Sequence, residues 1–172
     1  IAKAYTTRVG AGPFPTERED LTAQIPDWHN ARNPWQGAWR VGDFDAVLAR
    51  YALDVCGDID ALVITNLDRL DGRQSVEMAT LYEHNPLEDL ARAPTLEELQ
   101  RVTRALDAPR TPPKTVSAPG WSQARSKEGL ALEARQWVEL IARECGDYPV
   151  ELLSVGATAQ DKLRLCDDAW RI

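Results

Sequence analysis

This sequence is short of most residues that announce a specific chemistry. It has two histidines, His29 and His84, neither in an HExxH or other metal-ligand spacing, so a metal centre built on imidazole is not expected. Its three cysteines, Cys56, Cys145 and Cys166, form no CxxC pair, and an odd number makes a poor disulfide framework. Reduced thiols that mostly pack, in a cytoplasmic protein, are the expectation. Basic residues are in deficit: Lys and Arg number 20 against 27 Asp and Glu, a formal charge of −7 with a pI near 4.9. The surface as a whole therefore repels phosphate backbones and anionic lipid, which argues against nucleic acid and membrane partners. A small anion could still be held by a local cluster. No apolar run approaches the roughly 20 residues needed to span a bilayer, and the opening IAKAYTTRVG does not read as a signal peptide. Ser154 stands in no nucleophile motif, and the chain has no internal repeat. No initiator Met precedes the strand-like, Gly-rich start, so a single domain, residues 1 to 172, excised from a longer protein is the expectation.

What is present suffices for a core: 172 residues at 44% hydrophobic composition. Residues 8 to 17, RVGAGPFPTE, have the composition of a loop that lets the backbone approach something closely. Residues 18 to 42 show little periodicity, and Trp28, Trp35 and Trp39 crowd there. Core packing is expected of the tryptophans, with base stacking as the alternative. From Asp43, the residues Phe44, Val47, Leu48, Tyr51, Ala52 and Val55 follow helical spacing up to Gly57, with Asp43 or a neighbour as cap. Ala61 to Ile64 and Val76 to Tyr82 read as strands joined by a DRLDG turn. Residues 83 to 94 read as loop. Thr95 and Glu98 make a capping box ahead of Leu96, Leu99, Val102 and Leu106. The Pro-rich stretch 108 to 121 predicts an extended connection, residues 130 to 145 a helix burying Leu130, Ala134, Trp137, Ile141 and Cys145, and Val150 to Leu153 a last strand. Helices mixed with short strands indicate α+β, a small mixed sheet flanked by helices.

Two strand ends stand out. Asn66, Leu67 and Asp68 follow the apolar run ending at Ile64, and Ser154, Val155 and Gly156 follow the final one. Side chains just beyond a buried strand are held rigidly at a crevice, a common ligand position. An Asp there can accept two hydrogen bonds from the ring N–H and amine of guanine, although an Asp after a strand is also an ordinary turn residue. The segment resembles the Asn-Lys-x-Asp loop of GTP-binding proteins. Arg40 is either a surface residue or a bidentate clamp for carboxylate or phosphate.

The opening KAYTTRVGAGPFPTE, residues 3 to 17, closely resembles a signature of the adenylosuccinate synthetase family. Further landmarks follow in order: Gly37 and Arg40 ahead of Asp45, Thr65 to Gly72 as TxLDxLDG, Pro119 to Trp121 as PGW, and Pro149 to Gly156 as PVELLSVG. The resemblance implies the C-terminal domain of a ligase that joins aspartate to the C6 position of IMP with GTP, through a 6-phosphoryl intermediate. It places the phosphate loop, the catalytic Asp and His, and the Mg²⁺ ligands in an N-terminal part absent from this chain. No catalytic residue or metal site is thus expected here, and the isolated domain would be inactive. By the same resemblance, Asn66, Leu67, Asp68, Ser154, Val155 and Gly156 fall on guanine-reading segments. Val9 and the loop Asn33, Pro34, Trp35, Gln36, Gly37, Ala38 and Arg40 fall on the substrate pocket, with Arg40 also near the donor nucleotide. Small-molecule nucleotide and amino-acid partners, a homodimer, and GTP or else ATP as co-substrate are implied.

The departures are specific. The family loop is of the Thr-Thr-Gly-Arg-x-Arg type, whereas this chain reads Trp35-Gln36-Gly37-Ala38-Trp39-Arg40, and Asn66 replaces the family's Lys. These changes leave open a paralogue with another acceptor or amine, for example dGMP with aspartate, or a non-catalytic nucleotide-binding domain.

Overall fold

The computed structural model describes residues 1–30, 32–83, 85–88, 94–107, 112–127 and 129–165. His84, Cys166, and parts of the expected loop 83 to 94 and connection 108 to 121 lie outside the described residues. The chain opens with strands β1 (Ala2–Lys3) and β2 (Thr6–Val9). Residues 18 to 42 are more regular than their sequence suggests, for they hold helix α1 (Glu19–Gln24) and strand β3 (Trp39–Gly42). Tertiary contacts make these elements: Leu21 and Ile25 are buried, and the Val41 N–H donates to Thr22 Oγ1 at 2.9 Å. Runs this short show no periodicity in a sequence.

Strand β4 (Phe44–Asp45) leads directly into helix α2 (Ala46–Cys56). Phe44 therefore lies on a strand and not on the helix, and Asp45 rather than Asp43 is the cap. Its Oδ1 accepts the Leu48 N–H at 3.0 Å, the spacing of an N-cap bonding the third helical residue. Val55 and Cys56 are exposed, so the far end of the apolar stripe is not core. Strands β5 (Leu62–Thr65) and β6 (Ser75–Leu81) fall within one residue of the sequence bounds. Helix α3 (Leu96–Asp107) begins at the expected box, where Thr95 N and Oγ1 both donate to Glu98 Oε2, at 2.6 and 2.8 Å. Val102 and Leu106 are buried, whereas Leu96 and Leu99 are exposed.

Strand β7 (Lys114–Pro119) occupies much of the Pro-rich connection, and β8 (Arg125–Ser126) pairs with β9 (Gly129–Leu130). Leu130 thus belongs to a strand. Helix α4 (Leu132–Glu144) buries Ala134, Trp137, Val138 and Ile141, with Cys145 buried just past its end. Strand β10 (Val150–Ser154) is followed by β11 (Lys162–Arg164), so the strand read as last has an antiparallel partner beyond it. The fold is α+β, with small sheets and, among the described residues, four helices. None of these is long and apolar enough to cross a membrane.

The chain divides into two compact units. The first comprises Ile1–Ala4, Ala52–Glu77 and the described part of Ser117–Ile172. Its sheet runs in the order β1-β5-β10-β11, parallel across the first three strands and antiparallel at the last. Ile64, Leu153, Val138 and Ile141 are fully buried in it, each such side chain contributing about 1.5–3 kcal/mol. Trp137 is 1% exposed and its indole N–H donates to Ala4 O at 3.1 Å. The PGW motif is a close-approach device: Gly120 N–H donates to Gln74 O at 2.9 Å, and a Cβ on Gly120 would lie 2.0 Å from Arg73 O. Trp121 then donates its indole N–H to Asp71 Oδ1 at 2.9 Å.

The second unit comprises Tyr5–Tyr51 and the described part of Met78–Val116. It contains the antiparallel pair β2 and β3 and the parallel pairing of β4 with β6. Val47, Ala79, Tyr82, Leu87, Val102 and Leu106 form its core cluster.

Candidate functional site

In the first unit the two strand ends singled out in the sequence are neighbours. Strands β5 and β10 run parallel with Ile64 opposite Leu153, so both emerge at the same edge of the sheet. Beyond β5, Asn66 adopts φ 65 and ψ 30, the left-handed region that Asn enters more readily than other non-glycine residues. The chain then tightens into a 3-10 turn over Leu67–Leu70, with Leu67 fully buried as its anchor. Asp68 is half-buried, and among the described residues no donor is paired with its carboxylate. Three residues on, Asp71 differs in role: it accepts the Ala124 N–H at 2.7 Å besides the Trp121 indole. Burial raises the Asp71 pKa, those two bonds oppose the rise, and the charge of Asp68 adds to it. Asp71 therefore holds the turn, while among the described residues the Asp68 oxygens have no donor.

Beyond β10, Ser154 and Val155 are buried, and the Ser154 hydroxyl donates to Gly156 O at 3.0 Å. Gly156 cannot carry a side chain, because a Cβ would lie 2.6 Å from the Asp161 carboxyl carbon. Asp161 is fixed in turn by Thr158, which donates through N at 2.9 Å and Oγ1 at 2.6 Å. Lys162, on β11 opposite Ser154, donates from Nζ to Ser154 Oγ at 2.8 Å and to Gly156 O at 2.9 Å. Sequence reading missed Lys162, since only the pairing of β11 with β10 brings it to this edge. A Thr-x-x-Asp spacing at Thr158 and Asp161 was the available clue to the turn between them.

The second unit holds Val9 and the Trp-rich loop. Val9 pairs with Trp39 in the β2–β3 ladder and is 37% exposed. Asn33 builds the loop, its Oδ1 accepting the N–H groups of Trp35 at 3.0 Å and Gln36 at 2.8 Å. Asn33 and Gly37 exchange backbone bonds, Asn33 N to Gly37 O at 3.1 Å and Gly37 N to Asn33 O at 2.9 Å. Pro34, Trp35 and Gln36 are exposed at the tip, and Ala38 O accepts the Gly10 N–H at 2.8 Å. Gly10 and Gly37 both have positive φ, and a Cβ on Gly37 would come within 2.9 Å of Gly10 Cα. Core packing of the loop tryptophans is not what is found: Trp28 and Trp35 are 84% and 94% exposed. Only Trp39 packs inward, donating its indole N–H to Ile25 O at 2.9 Å.

Arg40 is committed within the protein. Its Nε donates to Glu17 Oε1 at 2.8 Å, Nη2 to Glu17 Oε2, and Nη1 to Gly10 O at 3.0 Å and Gly12 O at 2.9 Å. The guanidinium also lies 5.4 Å from the Phe14 ring centroid. Four of its five N–H groups are thus engaged in tying the Gly-rich loop to β3. Glu17, which sequence reading did not single out, is held below its ordinary pKa chiefly by its hydrogen bond from Arg40. Among the described residues, no group of three His, Cys, Asp or Glu side chains could hold a metal ion.

The model of the adenylosuccinate synthetase family matches residues 1–163. The chain belongs to that family. The adenylosuccinate synthetase of Gloeobacter violaceus is 36% identical over 169 residues, covering 95% of this chain and 36% of that protein. The organellar chromatophore adenylosuccinate synthetase of Paulinella chromatophora is 36% identical over 166 residues, 91% of this chain and 35% of that protein. The chain therefore spans little more than a third of the curated relatives it matches. A solved structure, the fully ligated adenylosuccinate synthetase from Plasmodium falciparum, shares the fold with a TM-score of 0.71 at 20% identity, over 96% of this chain and 39% of that one. In the present chain the tip of the loop closed by Asn33 and Gly37 is Pro34-Trp35-Gln36, without a charged side chain.

Proposed function

We propose that this chain supplies the donor-base and amino-acid-loop part of a ligase that joins aspartate to the C6 position of IMP at the expense of GTP. In that reaction the oxygen on C6 accepts the γ-phosphoryl group. The aspartate amine then attacks C6, the C–O bond breaks, and the oxygen leaves as inorganic phosphate. The residues described here bind and orient; the phosphoryl-transfer machinery belongs to other parts of the protein. Family membership supports the reaction class.

The observation that carries the donor-site role is the shared edge of β5 and β10. It presents the unpaired Asp68 carboxylate beside the Ser154–Gly156 turn. A carboxylate accepts only, so it suits the N1–H and 2-amino group of guanine and opposes adenine, whose N1 is an acceptor. Losing one contact of such a pair costs about 1–3 kcal/mol. GTP is therefore the favoured co-substrate, with ATP the alternative.

A second reading, a different acceptor or amine, is favoured by one observation: the loop from Asn33 to Ala38 offers no cation, and Arg40 is already paired with Glu17. A dicarboxylate held there would lack about 1.5–3 kcal/mol for each missing charged contact.

The test uses the protein expressed from its complete gene. Phosphate release is measured with GTP or ATP, across IMP, GMP and dGMP, with and without L-aspartate. The expected result is release that requires GTP, IMP and aspartate together, and a loss of guanine preference in Asp68→Asn. Release only with dGMP or with another amine would replace the first reading by the second. Nucleotide binding without turnover under any combination would overturn both.

A further inference from the structure

We infer that Lys162 is a specificity residue for the donor base, a cationic donor aimed at the oxygen on position 6 of a keto-purine; this rests on the donor-site reading above. Its ammonium is placed by the fold. Lys162 and Ser154 are paired positions of β11 and β10, and Nζ donates to Ser154 Oγ at 2.8 Å and Gly156 O at 2.9 Å. Both partners are held by burial and hydrogen bonds. Ser154 is 6% exposed, and Gly156 is backed by the Asp161 carboxylate, itself bonded to Thr158 and paired with Arg125 at 3.3 Å.

An ammonium has three N–H groups, and two are spent on these oxygens. The third has no partner among the described residues, and Lys162 is exposed where β10 ends beside β5. Two of the charged side chains at this edge, Asp68 and Lys162, are chemically complementary to opposite halves of one base. Asp68 accepts from the N1–H and 2-amino group, and Lys162 donates to the 6-oxygen. An amino-purine presents an N–H₂ at that place, so a group that can only donate rejects it. Asp68 reads positions 1 and 2 and leaves position 6 unread; Lys162 reads position 6 and adds to the guanine preference that Asp68 sets.

A purely structural role, in which Lys162 staples β11 to the turn after β10, makes the same intramolecular bonds. Base analogues separate the two. Dissociation constants are measured on the protein expressed from its complete gene, for GDP, IDP and 6-thioguanosine diphosphate. The last keeps the N1–H and amine and replaces the oxygen with sulfur, a poor acceptor. Lys162→Met is expected to weaken GDP and IDP about tenfold each and the thio analogue no more than about twofold. Lys162→Arg, which keeps a donor, is expected to retain most of the GDP affinity and guards against a folding artefact in the Met variant. Equal weakening of all three nucleotides, or no weakening of GDP, overturns the proposal. A wild-type protein that prefers ADP to GDP overturns the donor-site reading itself, and is recognised without any variant.

Discussion

Arg40 and Glu17 form a two-pronged ion pair, and the same guanidinium bonds the carbonyls of Gly10 and Gly12. One side chain thereby fixes the Gly-rich loop to the strand that follows the Trp-rich loop. Glu17→Gln should leave the overall fold intact but raise amide hydrogen exchange at residues 10 to 12. Arg40→Lys should behave similarly, because a point-like ammonium cannot span a carboxylate and two carbonyls at once. The pH dependence has a definite sign. Glu17 has its folded pKa depressed below 4.5, so its stabilisation is present above 4.5 and is lost as pH falls through the depressed value. Wild type and Glu17→Gln should differ in melting temperature at neutral pH and converge in acid. Curves that stay parallel down to about pH 2 would remove Glu17 from the account.

Asp45 is buried with two duties, capping α2 through Leu48 and accepting from the Tyr82 hydroxyl. Burial raises its pKa above 3.8 despite those bonds. Here the folded state holds the proton more tightly than the unfolded state. Stability from this group is therefore highest below 3.8 and falls as pH rises through the raised value. Asp45→Asn keeps a capping oxygen and an amide that can bond Tyr82, so its stability relative to wild type should improve as pH rises across that window. Tyr82→Phe should cost about 1–3 kcal/mol at pH 7, where it leaves a buried carboxylate short of a donor, and less in acid. Urea midpoints from pH 3.5 to 7 check both, and a pH-independent difference for Asp45→Asn would refute the linkage.

What could be read from the sequence followed the length and local character of each element. Helices α2, α3 and α4 are long enough for apolar spacing to show, and the Thr95–Glu98 box announces its helix by chemistry that is local in sequence. The strand-end residues Asn66 to Asp68 and Ser154 to Gly156 could be named from position alone. That they emerge side by side could not, because pairing of β5 with β10 joins residues nearly ninety positions apart. The same limit hid Lys162, which reaches Ser154 only through the β11 return. It hid the tie between Arg40 and Glu17, which crosses 23 positions. The loop tryptophans misled in the opposite way: composition places large aromatics in cores, yet Trp35 is 94% exposed because the Asn33 turn closes beneath it.

That exposed loop carries the sharpest test of amine specificity. Trp35 and Gln36 sit at its tip, and substitutions at so exposed a site should shift stability by no more than about 0.5 kcal/mol. Position 38 is half-buried beside the Gly10 contact, and its backbone bond to Gly10 does not depend on the side chain. Installing Trp35→Thr, Gln36→Thr and Ala38→Arg together restores two hydroxyls and one guanidinium without disturbing the Asn33–Gly37 closure. If the loop of this protein receives aspartate, the triple variant should lower its KM for aspartate at least about tenfold, the worth of one charged hydrogen bond, with kcat little changed. A variant that gains aspartate turnover while losing another amine would identify the Trp35, Gln36 and Ala38 positions together as part of an altered pocket. An unchanged KM in a protein that still turns over would mean that the carboxylates are gripped by residues outside this loop, and that its loss of charge carries no penalty.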